Sequence, residues 1–478
     1  MSKTHYDVDV CVIGAGSAGL SVASGAAQLG RSVVLFEADE MGGDCLNYGC
    51  VPSKALIAAG KHAHAFSTGE AYGVKVQKPE VNFETVKAHI QGVIDHIAPV
   101  DSQERFEGLG CTVIRERARF KDARTVESET TEVKAKRIIV ATGSRASAPP
   151  IPGLDTVPYL TNETIFTMDQ QPEHLLIVGA GPIGLELGQA FARLGSKVDI
   201  VDIAPPLGRN EPEHAAVLVK ALEEEGVKFY APAKTKMIRK TESGVAIDLE
   251  DGTVLEGSHI LVAAGRRPVM DGLELEKAGV AYDKRGITTD DRLRTSNKRV
   301  FAVGDVSGRG GLTHAAGFHA GIIIKAFYFL PPGLSRLLGK ATTHRMPAAI
   351  YSEPELANIG LSEAEAREQG HNIKVLTWDF EENDRAIAER SDHGGVKIIA
   401  TTKGKILGAS IVGEGAGDLI QMISVAMTNK VKISGLAQII APYPTRGEAV
   451  KRAASSFYTE TIFGDKAKKL AGLWTKFH

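Results

Sequence analysis

The chain has 478 residues, of which 43% are hydrophobic and 24% are charged. That balance is typical of a globular protein with about three domains, and it excludes a disordered or fibrous chain. The net charge of −2 gives no electrostatic reason to expect nucleic-acid binding, and four cysteines in so long a chain exclude a small secreted disulfide framework.

The sequence shows no sign of a secretory leader, because residues 1–9 contain no apolar segment. The nearest candidate for a membrane span, residues 321–338, is interrupted by Lys325, two prolines and Arg336. We therefore expect a cytoplasmic protein whose thiols lie in a reducing compartment.

The first predicted unit is a strand followed by a glycine turn and a helix. Residues 8–13 predict a buried strand, and Gly14, Gly16 and Gly19 have the G-x-G-x-x-G spacing of a dinucleotide-binding turn. The N-terminus of the following helix would bind a pyrophosphate through backbone N–H groups. A second strand ends in Glu37, which would accept hydrogen bonds from ribose hydroxyls.

Two cysteines follow in the segment GGDCLNYGCVPSK at residues 42–54. In a regular helix Cys45 and Cys50 would lie about 7.5 Å apart along the axis, whereas a disulfide requires Cα atoms within about 6.8 Å. Either the backbone is irregular here, or the pair never bonds; two packed core thiols are a further alternative. Pro52 suits a first helical turn, so Cys50 would lie near a helix N-terminus, where the dipole and Lys54 would lower its thiol pKa.

The dinucleotide fingerprint occurs a second time. Residues 175–178 predict a strand, and Gly179, Gly181 and Gly184 repeat the glycine spacing before a helix. Asp202 follows 23 residues after Gly179, the same offset as the acid of the first copy. Two strand–turn–helix copies with an acid at one offset predict two bound dinucleotides, one a flavin dinucleotide and the other a nicotinamide nucleotide.

Asp202 also bears on the choice of nicotinamide. A carboxylate at this strand end accepts a hydrogen bond from a free 2′-hydroxyl and repels a 2′-phosphate, which favours NADH. Arg209 is close in sequence and weakens this inference, so NADPH stays an alternative.

The cysteine segment is similar to the redox-active segment of the flavin disulfide reductases, a family that includes dihydrolipoamide dehydrogenase, glutathione reductase and mercuric reductase. The resemblance covers essentially the whole chain, with further similar motifs at residues 141–144, 263–268, 301–305, 313–316 and 351–360. It implies an α/β fold with two Rossmann-like dinucleotide-binding domains, for FAD and NAD(P), and a C-terminal α+β dimerisation domain. It also implies a homodimer.

The resemblance implies an electron relay from NADH through the flavin to a Cys45–Cys50 disulfide, with Cys50 on the flavin side and Cys45 attacking the substrate. Lys54 would lie near flavin N5 and Glu186 near the nicotinamide. The residues expected to bind FAD are Gly14, Gly16, Gly19, Glu37, Gly43, Lys54, Thr142, Gly143, Asp305 and Ala316. Those expected to bind NAD(P) are Gly179, Gly181, Gly184, Glu186, Asp202 and Gly265.

The chain departs from the family at the proton shuttle. Members that act on disulfides take a His and a Glu of the segment H-P-x-x-x-E from the partner subunit, and here residues 443–448 place Tyr443 and Glu448 at those positions. A tyrosine with a pKa near 10 is a poor base at neutral pH. Tyr443 is a proton donor, a metal or substrate contact, or only a packing replacement; these alternatives stay open.

The sequence therefore predicts an NAD(P)H-dependent flavoprotein acting on a disulfide, a thiol-reactive metal ion or another oxidant. The segment 384–395 resembles mercuric reductase, yet no cysteine follows Cys111 to collect metal, and we predict no resident metal ion. One alternative is a dihydrolipoamide dehydrogenase with an altered proton shuttle. An alternative of another class is a redox-sensing interaction protein whose dithiol switches without turnover.

Near the C-terminus, Leu470, Leu473, Trp474 and Phe477 recur at helical spacing among lysines. Such a basic amphipathic helix either contacts an anionic membrane surface or packs on its own protein, and we favour packing.

We predict four segments: a first FAD part at residues 1–155, an NAD(P) domain at 156–280, a second FAD part at 281–345 and an interface domain at 346–478. The last domain should pair residues 396–399 and 406–412 as antiparallel strands.

Overall fold

The computed structural model describes residues 3–75, 77–329 and 340–475. Its backbone contacts divide the chain into two compact units, the first made of residues 1–203 and 233–343 and the second of residues 204–232 and 344–478. Among the described residues, no helix is both long and apolar enough to cross a membrane.

Helices and strands alternate along most of the chain. The helices are α1 Ser17–Gln28, α2 Gly43–Asn47, α3 Cys50–Gly69, α4 Phe83–Asp101, α5 Gln103–Gly108, α6 Pro182–Leu194, α7 Pro212–Glu224, α8 Thr313–Tyr328, α9 Glu363–Glu368, α10 Asp384–Ala388, α11 Ala416–Thr428, α12 Ile433–Ala437, α13 Gly447–Ser456, α14 Thr459–Phe463 and α15 Asp465–Trp474. The strands are β1 Thr4–Ile13, β2 Val33–Phe36, β3 Cys111–Ile114, β4 Arg119–Phe120, β5 Thr125–Glu127, β6 Thr131–Val140, β7 Ser144–Ala146, β8 His174–Val178, β9 Lys197–Val201, β10 Lys228–Tyr230, β11 Thr235–Lys240, β12 Val245–Leu249, β13 Val254–Gly257, β14 His259–Val262, β15 Arg266–Pro268, β16 Tyr282–Asp283, β17 Gly286–Ile287, β18 Val300–Ala302, β19 Ala348–Ile350, β20 Glu355–Gly360, β21 Ile373–Asp379, β22 Gly395–Thr401 and β23 Ile406–Gly413.

The main sheet of the first unit has the order β3-β2-β1-β6-β5-β4, with β18 also paired to β6. Strands β3, β2, β1, β6 and β18 pair in parallel. Successive side chains of β1 enter two different cores, Val10 and Val12 on one face and Cys11 and Ile13 on the other. The end of the strand, residues 10–13, is apolar without alternation because both faces of a parallel sheet are covered there.

The second fingerprint begins a separate parallel sheet in the same unit. Strand β8 pairs in parallel with β9 on one side and β14 on the other, and all three carry mostly buried side chains. Helix α6 packs on β8 and β9. Both glycine turns therefore lie at the carboxyl end of a parallel strand, the edge at which dinucleotides bind in open α/β sheets.

The second unit contains an antiparallel sheet with the order β19-β20-β23-β22-β21. The predicted antiparallel pairing of residues 396–399 and 406–412 is confirmed, since β22 and β23 pair in that sense. Helices α11 and α13 pack on this sheet and share its core with Ile398, Ile411, Ile423 and Val450.

Contacts group residues 204–232 with the C-terminal part of the chain, whereas the four predicted segments place them in the NAD(P) domain, and that division stays a prediction. Helix α7 packs on β20 and β23, and buried Lys397 joins the same segments: its Nζ lies 2.7 Å from Glu211 and 2.8 Å from Glu363, and it also pairs with Glu213. His214, the residue after Glu213, forms a hydrogen bond with the Ser410 hydroxyl at 2.7 Å, and burial lowers the pKa of His214 to about 4.

The C-terminal helix does not bury its apolar side chains, contrary to the packing that we favoured. Leu470, Leu473 and Trp474 are each more than half exposed, and α15 contains no buried residue. Phe477 lies outside the described residues.

Candidate functional site

The first glycine turn requires its first glycine. Gly14 has φ +105°, and a Cβ there would stand 2.5 Å from the carbonyl oxygen of Ala141. Helix α1 begins directly after Gly16, so its free N–H groups face the turn. Gly19 lies in the first turns of α1, buried beside the strand. The predicted roles of these residues thus have a matching backbone.

Glu37 is buried at the end of β2, as its predicted role requires. Its carboxylate accepts hydrogen bonds from the N–H of Ala15 at 2.5 Å and of Asp39 at 2.8 Å. Two backbone donors fix this carboxylate at the edge of the glycine turn, where a ribose would lie.

The cysteine segment packs directly against the first glycine turn. Gly43 has φ +61°, and a Cβ there would stand 2.8 Å from Cα of Gly16. Gly42 also forms an isolated parallel bridge with Gly16. The absence of a side chain at Gly43 therefore allows the backbone of the cysteine segment to lie directly against the first glycine turn.

The backbone between the two cysteines is irregular, which is one of the alternatives left open above. Helix α2 ends at Asn47, and α3 begins at Cys50 after Tyr48 and Gly49. Both cysteines carry free thiols, and each thiol is the largest influence on the pKa of the other. Cys45 is half-buried and Cys50 exposed, so they are not packed core thiols.

The surroundings of the pair favour a thiolate on Cys50. The hydrogen bond from Cys45 is the main cause that lowers the pKa of the Cys50 thiol to about 6; burial opposes it, while the hydroxyl of Thr313 and the charge of Lys54 lower the pKa further. Thr313 Oγ1 lies 3.3 Å from Cys50 Sγ at the first residue of α8. The hydrogen bond with Cys50, together with burial, raises the pKa of Cys45.

Replacing Thr313 by valine is expected to raise the pKa of the Cys50 thiol by about one unit, because valine lacks the hydroxyl that donates to the thiolate. Thr313→Ser keeps that hydroxyl and is the matched control. The measurement is the pH dependence of Cys50 alkylation in the reduced holoenzyme, assigned by peptide mass spectrometry. In the unmodified chain reactivity should fall as the pH falls through about 6; one midpoint for all three proteins would contradict the assignment.

Lys54 and Glu186 form an ion pair that joins the cysteine helix to the second glycine turn. Lys54 Nζ donates to Glu186 Oε2 at 2.8 Å, and helices α3 and α6 pack together. Glu186 is buried, and the ammonium group compensates its charge there. The structure thus brings together two residues that the family resemblance assigned to opposite cofactors.

The remaining predicted FAD residues lie where three segments of the first unit meet. Asp305 is half-buried, and burial raises its pKa although Ser144 donates to it at 2.6 Å. Thr142 Oγ1 donates to the carbonyl of Val269 at 2.6 Å. The structure places Gly143 at φ +67° between β6 and β7, and it buries Ala316 in α8.

The second glycine turn repeats the first. Gly179 again has positive φ, Gly181 precedes α6, and Gly184 is buried within the helix. Asp202 Oδ2 accepts the N–H of Ala180 at 2.7 Å, the same arrangement as that of Glu37. Gly265 has φ +139° immediately before β15. Both turns offer helix N-termini and a neighbouring carboxylate, so the residues present fit two dinucleotides.

Tyr443 and Glu448 lie in the second unit. Tyr443 is 70% exposed, and its hydroxyl donates to Asp384 Oδ2 at 2.7 Å. This hydrogen bond, followed by the charge of Asp384, raises the pKa of Tyr443. Glu448 lies in the first turn of α13.

Sequence reasoning missed the contacts of Thr313 and Arg266 in the first unit and the contact of Asp384 with Tyr443 in the second. The only sequence signal for Asp384 was its place in the segment 384–395 that resembles mercuric reductase. The neighbouring buried Asn383 donates a hydrogen bond to the carbonyl oxygen of Thr445 at 3.1 Å, which holds this segment beside the one that contains Tyr443. Within the described ranges, no cluster of three or more His, Cys, Asp or Glu side chains could hold a metal ion.

The comparisons with known proteins agree over nearly the whole chain. Models described as pyridine nucleotide-disulphide oxidoreductase and as its dimerisation domain match residues 8–320 and 346–454. A mercuric reductase of Streptomyces lividans is 34% identical over 471 residues, covering 96% of this chain and 98% of the relative. A dihydrolipoyl dehydrogenase of Thermus scotoductus is 35% identical over 468 residues, covering 95% and 98%.

Solved structures agree as well. A Cu(II) complex of the HOCl-induced flavoprotein disulfide reductase RclA from Escherichia coli has a TM-score of 0.81 and 26% identity, covering 92% of this chain and 98% of that one. LpdA from Mycobacterium tuberculosis has a TM-score of 0.85 and 26% identity, covering 94% and 99%.

Proposed function

This chain belongs to the pyridine nucleotide-disulphide oxidoreductase family, and we propose that it passes electrons from NAD(P)H to a thiol-reactive metal ion or another small oxidant through Cys45 and Cys50. The α/β fold with a dimerisation domain is confirmed, as are the oxidoreductase class and the use of FAD and NAD(P)H. The assignment of individual residues to these cofactors remains our proposal.

The observation that carries this choice of acceptor is the hydrogen bond between Tyr443 and Asp384. When a disulfide is the electron acceptor, its reduction to two thiols takes up protons, and the group that delivers them must have a pKa near the working pH. The Tyr443 hydroxyl donates a hydrogen bond to Asp384, which raises the pKa of Tyr443. Tyr443 is therefore a poor proton shuttle at neutral pH, and an acceptor that takes up no proton suits the site better.

Two further features support a cationic acceptor. Asp384 lies beside the exposed Tyr443, and Glu448 acts on the same tyrosine through its charge, so cations would be attracted there. Several relatives carry the name mercuric reductase, and the RclA structure is described as a Cu(II) complex.

The electron balance is simple. When the two thiols become a disulfide, two electrons go to the acceptor, for example one Hg²⁺ or two Cu²⁺, and two protons go to solvent. FAD, when bound, supplies the two-electron transfer from the nicotinamide that restores the dithiol. Thr313 and Lys54 would hold the Cys50 sulfur as a thiolate during that exchange.

Two alternatives remain. A dihydrolipoamide dehydrogenase with an altered proton shuttle is favoured by the Thermus scotoductus relative, which is 35% identical. A redox-sensing protein would use the same dithiol without turnover.

The deciding experiment is a steady-state acceptor screen with the purified holoenzyme, using NADH and Hg²⁺, Cu²⁺, quinones or lipoamide. We expect kcat/KM for at least one metal ion to exceed that for lipoamide by about tenfold or more, since a missing acid–base group costs about 10²–10⁴. A preference for lipoamide would support the dehydrogenase, and a stoichiometric burst without turnover would support the sensor.

We also propose that the chain forms a homodimer through residues 346–454, the part that matches the dimerisation domain. Tyr443 and Glu448 would then act on the cysteine pair of the partner. Sedimentation at micromolar concentration tests this, and a monomer that is active at every concentration would refute it.

NADH is the proposed nicotinamide, because the Asp202 carboxylate is fixed at the second glycine turn. Asp202→Ser is expected to narrow the preference for NADH over NADPH by about tenfold, which corresponds to about 1.4 kcal/mol of removed repulsion. The measurement is the ratio of kcat/KM for the two nucleotides. Asp199→Asn, which changes a buried acid in the same strand, is the control; an unchanged ratio in Asp202→Ser would contradict the assignment.

A further inference from the structure

Arg266 connects the cysteine turn with the carboxylate of Asp305. Its Nη2 lies 3.1 Å from Asp44 Oδ1 and donates to the carbonyl oxygen of Ser144 at 2.7 Å. Its Nε donates to Ser144 Oγ at 2.9 Å, and that hydroxyl donates in turn to Asp305 at 2.6 Å. A continuous line of polar contacts therefore runs from the residue before Cys45 to Asp305.

The backbone fixes the start of the Arg266 side chain. Strand β15 pairs with β7 so that Arg266 faces Ala146, and Gly265 accepts the N–H of Ser147 at 3.0 Å. Both strand segments belong to the same compact unit as the cysteines. The backbone of Arg266 is therefore held by strand pairing, and its guanidinium group is held by the contacts described above.

Asp44 receives a second donor from outside its own helix. Buried Asn162 donates from Nδ2 to Asp44 Oδ1 at 3.0 Å and to the carbonyl oxygen of Tyr48 at 3.1 Å. Helix α2 has only five residues, far too few to be stable by itself. Its position, and that of Cys45, therefore depends on such outside contacts.

We propose that Arg266 is a positioning residue for the redox pair: it holds the Asp44 carboxylate, and with it the turn α2, and it balances the negative charge that Asp44 places beside Cys50. This inference rests on the proposed role of Cys50 as a thiolate and does not depend on the acceptor.

Several groups face Cys50 from the elements around it. Cys45 and Asp44 belong to α2, Lys54 to α3 and Thr313 to α8, and Glu186 of α6 pairs with Lys54. Asp44 opposes ionisation of Cys50, whereas Lys54 favours it. Removing the guanidinium would leave the Asp44 charge without its ionic partner, so its effect on Cys50 would grow.

A double-mutant cycle tests the proposal, with the midpoint of Cys50 ionisation as the readout. Arg266→Gln is expected to raise that midpoint by about half a pH unit, and Asp44→Asn is expected to lower it. When Arg266→Gln is added to Asp44→Asn, the midpoint should stay at the value of the Asp44→Asn protein. Arg266→Lys retains a charge without the two-pronged geometry and should give an intermediate shift. The midpoint is measured on reduced, FAD-loaded protein by site-resolved alkylation and by thiolate ultraviolet absorbance.

A purely structural role predicts a different pattern. Thermal stability would then fall in both backgrounds while the Cys50 midpoint stayed constant, and that result would overturn the proposal. An equal shift in the two backgrounds would overturn it too, since the effect would not pass through Asp44. Failure of every metal acceptor in the screen would leave these midpoints unaffected, so the two proposals fail separately.

Discussion

Replacing Cys45 by serine is expected to reduce NADH-dependent turnover with every acceptor by about 10³-fold or more. A serine hydroxyl forms no disulfide and is no soft ligand for Hg²⁺ or Cu²⁺, so the two-electron couple is lost. The effect should be this large because residues that act as one unit fail together when one member is removed. The measurement is steady-state NADH oxidation with each acceptor, at matched FAD content.

Cys111→Ser is the matched control, because this buried thiol lies in β3 among apolar neighbours. It should lose some stability while retaining turnover. A Cys45→Ser enzyme with normal turnover would show that electrons reach the acceptor directly, and the assignment of the pair would then be wrong.

The sequence predicted the site best where a short motif dictates the backbone. The G-x-G-x-x-G turns could be located because only glycine fits a positive φ beside a neighbouring carbonyl, as at Gly14. Glu37 and Asp202 lie at the same distance along the sequence from the first glycine of their turns. The hydrogen bonds explain this equal spacing, since each carboxylate must reach a backbone N–H of its own turn.

Contacts between distant segments could not be predicted in this way. Thr313 is 263 residues from Cys50, and nothing in its local pattern indicates a sulfur contact. The Asp44–Arg266 pair likewise joins a short turn to a strand far along the chain. The same reason accounts for residues 204–232, which are grouped with the second unit by contacts between distant segments, such as those of α7 with β20 and β23, rather than by a local signal.

The C-terminal helix illustrates a different limit. Its helical spacing was read correctly, because α15 spans Asp465–Trp474. Spacing alone defines an apolar face but not what covers it, and Leu470 and Leu473 are exposed. Contact with a membrane surface stays the alternative to packing, and liposome sedimentation with and without residues 456–478 would test it.

Replacing Tyr443 by histidine is expected to raise lipoamide-dependent activity by at least about tenfold, because a positioned acid–base group contributes about 10²–10⁴ in rate. Imidazole has an unperturbed pKa of about 6.5, so its protonated form can deliver a proton to the leaving thiolate of lipoamide, and the nearby Asp384 carboxylate would favour that form. Tyr443→Phe removes the hydroxyl without adding a base and is the control. Turnover with Hg²⁺ or Cu²⁺ should change little, since neither ion takes up a proton when it is reduced. No gain in lipoamide turnover for Tyr443→His would mean that residue 443 does not stand at the proton-shuttle position, and the choice between metal ion and dithiol would then have to rest on the acceptor screen.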